Sequence, residues 1–129
     1  MSSARAVVAG HGDFAQGLVS AVDQITGQGA RFVTLSNRDA GAGELEARLR
    51  ALVRDEGVLV IFTDLPAGSC TMAARRLQRE HPDLRLVTGA NVPVLLDFAC
   101  GPGTDLAGCA ERGRAAIGVA APPGGTRGP

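Results

Sequence analysis

Tryptophan and tyrosine are absent from this 129-residue chain, and phenylalanine occurs only four times. Without aromatic platforms, recognition of sugars or bases by stacking is excluded as a main activity. Neither sign of charge predominates, because thirteen basic and thirteen acidic side chains sum to zero. The chain therefore carries no basic field for nucleic acid and no acidic arm. No apolar run approaches the ~20 residues needed to cross a bilayer, and the first residues lack the charged and apolar regions of a secretory signal. A soluble, cytoplasmic protein is expected. Cysteine is sparse and odd in number. Cys70, Cys100 and Cys109 show no CxxC spacing and no neighbouring histidines, so they are expected to be buried small hydrophobes rather than metal ligands.

The length suits one domain with a real core. Strand signals recur at 6–9, 31–35, 58–63 and 84–88, and the third is a continuous apolar run, as in a strand covered on both faces. Helical spacing lies between them. Phe14, Leu18, Val22 and Ile25 share one face, with Thr26-Gly27 as the stop, and Leu45, Leu49, Leu52 and Val53 repeat the pattern. Further helices are predicted at 71–80, where Pro82 prevents continuation, from Pro93 to Phe98 and at 105–116. Strands alternating with helices imply right-handed crossovers. The expectation is an α/β fold: a single-domain, three-layer αβα arrangement around a mainly parallel central sheet of four strands. The Pro- and Gly-rich stretch 121–129 reads as a flexible tail beyond a 1–120 domain.

The chemistry gathers where strands end. The first strand runs into Gly10-His11-Gly12-Asp13, at the edge of a parallel sheet where ligands collect. The third ends Thr63-Asp64, followed by Leu65-Pro66-Ala67-Gly68-Ser69-Cys70. A carboxylate at Asp64 could accept from one nitrogen of His11, fix its tautomer and leave the other nitrogen as a nucleophile. Ser69 is placed to cap the third helix, whose first N–H groups would seat a phosphoryl group. Each residue also has a plainer reading. His11 suits an ordinary loop, Asp64 a turn cap, and Asn91 a residue satisfying loop backbone groups. His81, before Pro82, suits the negative end of a helix.

Three segments in order resemble the IIA component (EIIA) of the mannose-type bacterial sugar phosphotransferase system, which handles mannose, fructose, sorbose and amino sugars. They are Gly10-His11-Gly12-Asp13-Phe14-Ala15-Gln16-Gly17-Leu18, the stretch from Gly57 through Asp64 to Ser69, and Thr88-Gly89-Ala90-Asn91-Val92-Pro93 with the residues to Leu96. The resemblance implies that His11 takes a phosphoryl group from phospho-HPr and passes it to the IIB component, which serves the membrane IIC and IID components. It implies that Asp64 orients His11, and that Gly10, Gly12, Gly68 and Ser69 form the surrounding loops. It also implies a cytoplasmic homodimer in which a C-terminal segment near 117–120 contributes an exchanged strand. Neither a metal nor another cofactor is required by such an exchange. The chain departs from the family pattern in having Ala67-Gly68-Ser69-Cys70 where Gly-Gly-Ser-Pro is common, and Gly10 where some members have Thr.

Other readings share some of these features. Gly10-x-Gly12-x-x-Ala15 satisfies part of a dinucleotide-binding fingerprint. The second strand, however, ends Thr34-Leu35-Ser36-Asn37 without the acidic residue that would hold a ribose, Asp39 falling in the following loop. A phosphocarrier domain of a dihydroxyacetone kinase system and a regulatory phosphoprotein reporting sugar supply also stay open.

Overall fold

The computed structural model describes residues 5–38 and 40–124. Asp39 and the last five residues of the expected tail lie outside them. Four strands, β1 (Ala6–Gly10), β2 (Phe32–Ser36), β3 (Val60–Thr63) and β4 (Arg85–Val87), alternate with helices α1 (Phe14–Thr26), α2 (Ala42–Glu56), α3 (Ser69–Glu80), α4 (Val92–Cys100) and α5 (Leu106–Ala115). All strand pairs are parallel, in the order β2-β1-β3-β4.

The alternation of side chains along the central strands divides the core into two. Ala6 and Val8 of β1 and Val60 and Phe62 of β3 face α1, α4 and α5. Val7 and Ala9 of β1 and Ile61 of β3 face α2 and α3. Both faces being covered explains why these strands read as unbroken apolar runs. The expected three-layer αβα order is present. On the α1/α4/α5 side, three of the four phenylalanines form the centre: Phe62 and Phe98 meet edge-on at 5.3 Å between ring centroids, with Phe32 5.9 Å from Phe98.

Element boundaries differ from the sequence expectation for local reasons. The third strand begins at Val60 because α2 ends on Gly57 at φ 66°, and the Val58 N–H is still turned back to the Leu52 carbonyl. Val58 is nonetheless fully buried, whereas Leu59 is exposed. Ile25, expected on the apolar face of α1, is also exposed, one turn beyond the last buried position at Val22. Cys70 and Cys109 are buried as expected, but Cys100, the last residue of α4, is exposed. No described helix is long and apolar enough to cross a membrane.

Residues 117–122 carry no secondary structure, and Ile117 and Val119 are exposed. The expected C-terminal strand is thus not formed within the single chain.

Candidate functional site

His11 follows β1 directly, and Asp64 follows its neighbour β3, so the parallel register brings the two to one sheet edge. Asp64 Oδ2 accepts from the His11 backbone N–H at 2.9 Å and meets the ring Nδ1 at 2.8 Å. An ionised carboxylate can only accept, so Nδ1 carries the proton and the neutral ring keeps a free lone pair on Nε2. The imidazole is half exposed while the carboxylate is mostly covered. Burial pushes the Asp64 pKa up, but the bonds from the His11 N–H and imidazole outweigh it and hold the carboxyl below its ordinary value. Asp64 Oδ1 is buried without a partner among the described residues. The carboxylate is thus committed mainly to His11, with its own backbone N–H as a lesser contact.

Two glycines make this approach possible. A Cβ on Gly10 would stand 2.6 Å from Phe14 Cδ2 and 3.0 Å from Asp64 Oδ2, so a threonine there would require the Phe14 ring to shift and would crowd the carboxylate. A Cβ on Gly68 would come within 3.1 Å of His11 Cε1. The start of α3 therefore lies against the imidazole. Gly12, at φ 54°, turns the chain from the histidine into α1.

Ser69 is not the N-cap expected from the sequence. Gly68 holds that position in an extended conformation without a side-chain cap, and Ser69 is the first helical residue. Its hydroxyl instead accepts from Asn37 Nδ2 at 3.2 Å. The first N–H groups of α3 have no acceptor within the helix, and they open beside the histidine ring. Next to Ser69, burial and then the Asp64 charge push the Cys70 thiol up to about 11. Cys70 is therefore a packed thiol rather than a nucleophile at neutral pH.

The loop from Asp64 to Gly68 is pinned from beneath. The buried hydroxyls of Thr63 and Thr71 share a 2.6 Å hydrogen bond, and Thr71 also donates to the Leu65 carbonyl at 2.5 Å. A third wall comes from the end of β2. Asn37 N–H donates to the Gly10 carbonyl, and Ser36 Oγ donates to the Gly12 carbonyl at 2.9 Å. Arg38 pairs with Asp13 at 2.9 Å. Sequence reasoning missed Ser36, Asn37, Arg38, Thr63 and Thr71 as parts of the site; the only signal was the polar run that closes the second strand.

Asn91 is structural. It caps α4 by accepting from Val94 N–H at 3.0 Å and donates to the Gly113 carbonyl of α5 at 2.9 Å. His81 is the C-cap of α3, the end opposite His11 and ~18 Å away along twelve residues of helix. Among the described residues, no group of three or more His, Cys, Asp or Glu side chains could hold a metal ion.

Comparison with known proteins gives one family match and several structural ones. The family model EIIA-man, described as the PTS system fructose IIA component, matches residues 5–102. The mannose/sorbose specific IIA subunit of the phosphotransferase system from Enterococcus faecalis is similar with a TM-score of 0.81 at 22% identity, covering 97% of this chain and 100% of that one. The PTS IIA protein associated with the fucose utilization operon of Streptococcus pneumoniae gives 0.80 at 22% identity, covering 92% and 96%. Phosphotransferase system component EIIA from Streptococcus agalactiae gives 0.79 at 19% identity, covering 89% and 95%. At these identities the structural likeness establishes the fold. No curated protein matches the sequence.

Proposed function

The chain belongs to the EIIA-man family of phosphotransferase system IIA components, and from that premise we propose that His11 is its phosphoryl carrier, loaded by phospho-HPr and emptied onto a IIB component. The observation that carries this reading is the His11–Asp64 pair, with Nδ1 bonded at 2.8 Å and Nε2 free. In the forward step the Nε2 lone pair attacks phosphorus in line with the donor's P–N bond. That bond breaks, and its electron pair returns to the donor ring. The His11 ring gains positive charge, which the Asp64 carboxylate offsets through Nδ1–H. Transfer to IIB is the same step in reverse with a new acceptor. Exchange between two imidazole carriers needs position and charge stabilisation rather than a strong driving force.

The phosphoryl oxygens on Nε2 would meet the free N–H groups of α3 and the Ser69 hydroxyl, with Gly68 leaving room for them. Gly10 and Gly12 keep the backbone on either side of the histidine unobstructed. Leu65 and Met72 are exposed close to the loop and the first turn of α3, which suits docking of protein partners rather than entry of a small substrate. The working state is proposed to be a cytoplasmic homodimer, its membrane partners being the IIC and IID components reached through IIB. The metal-free, cofactor-free exchange expected from the resemblance is part of the same proposal.

The test is incubation with phosphoenolpyruvate, the system's first enzyme and HPr, followed by mapping of acid-labile phosphate. His11→Ala should abolish labelling and His81→Ala should leave it intact. Label on any other side chain, or none on the native chain, overturns the reading.

A further inference from the structure

We infer that Asn37 is a positioning residue for phosphoryl transfer, acting on the transferred group through the Ser69 hydroxyl. The inference rests on the carrier reading of His11 and adds a residue from a strand that the chemistry otherwise leaves out. A hydroxyl has one proton to give and two lone pairs to receive with. An N-capping serine spends its oxygen on its own helix, but Ser69 sits one position too late to cap, because Gly68 occupies that place. Its oxygen instead receives the Asn37 amide at 3.2 Å. With that lone pair engaged from the β2 side, the hydroxyl proton has only the adjacent Cys70 thiol, a weak acceptor, to turn to, and a phosphoryl oxygen is the stronger acceptor. Ser69 directly follows Gly68, where an added Cβ would stand 3.1 Å from His11 Cε1. Cε1 is bonded to Nε2, the atom proposed to carry phosphate.

Asn37 can do this because its own position is fixed. Its N–H donates to the Gly10 carbonyl at 3.1 Å, and Ala40 N–H returns to the Asn37 carbonyl at 3.3 Å. Ser36 ties the same turn to Gly12 and accepts from Arg38 N–H at 3.0 Å. The amide is thus held to β1, the strand that carries His11, and reaches over its end to α3. Asn37 joins the three chain segments of the site in one hydrogen-bonded arc. No charge is added near the phosphoryl group, so the effect is one of orientation.

The experiment is a double-mutant cycle read by the rate of phosphoryl acceptance from phospho-HPr and by the lifetime of the phosphorylated chain. Asn37→Ala and Ser69→Ala should each slow acceptance by about 3- to 10-fold, the scale of one neutral hydrogen bond. The double variant should be no slower than Ser69→Ala alone, because Asn37 acts only through that hydroxyl. Asn37→Asp keeps the size but turns a donor into an acceptor. It would capture the Ser69 proton and should be slower than Asn37→Ala, with a shorter-lived phosphoryl group. A native rate in either Asn37 variant, or additive losses in the double variant, overturns the inference. An unlabelled native chain would instead remove the carrier reading on which it stands.

Discussion

At the scale of single residues, the site depends on one carboxylate held ionised against its own burial. Asp64 sits below the ordinary carboxyl pKa in the folded chain because His11 donates to it twice. A lowered folded pKa means that the unfolded chain takes up the proton first as pH falls. The stabilisation is therefore complete above the reference carboxyl value of ~3.9 and is lost as pH drops through the lowered folded value. Asp64→Asn should cost about 1–2 kcal/mol at neutral pH, the scale of a charge-assisted hydrogen bond. That cost should shrink toward zero in strong acid. Urea unfolding of both chains across pH 7 to 2 measures it, and a pH-independent gap would contradict the linkage. Gly68→Ala isolates contact from stability. The backbone there is extended at φ −168°, which alanine adopts freely, yet its Cβ would press on His11 Cε1 at 3.1 Å. Phosphoryl acceptance should fall several-fold with little change in Tm; an unchanged rate would show that the ring simply moves aside.

At the scale of elements, the loop between β3 and α3 is set by a buried pair of hydroxyls. Thr71→Val keeps the shape but removes both the bond to Thr63 and the donation to the Leu65 carbonyl. Burying an unpaired polar group costs about 1–3 kcal/mol, so denaturant unfolding should show a loss in that range. Amide exchange at 64–68 should quicken more than in β1. This pair also marks where the sequence stops being legible. The strands and helices could be read because burial on both faces of β1 and β3 leaves continuous apolar runs, and because Gly27 ends a helix and Pro93 sits in the first turn of another with standard chemistry. His11 and Asp64 could be read because each closes a central parallel strand. Thr63, Thr71 and Asn37 could not, since a small polar residue at a strand end or in the first turn of a helix looks the same whether it caps, packs or bridges. Ser69 was misread as a cap for the same reason: the sequence places it beside the helix start, but not to within the one residue that decides its hydrogen bond.

At the scale of the whole molecule, two strand edges lie open among the described residues, β2 on one side and β4 on the other. An unpaired edge is a template for another strand. Beside β4 a groove is lined by Val87, Ala90, Val94 and Ile117, and the chain leaves it with Ile117 and Val119 exposed. Two such apolar residues at alternate positions, without a strand partner among the described residues, fit the β-strand period. The proposed homodimer would pair them with the open edge of a second copy. In light scattering at tens of micromolar the full chain should then weigh twice its 13.1 kDa, and a chain ending at Ala116 should be a monomer. The shortened chain should still accept phosphate on His11, because Asp64, the start of α3 and the β2 turn all come from the same copy. A monomeric full chain would dismiss the strand exchange. A shortened chain that is monomeric and cannot be labelled would mean that the second copy completes the site.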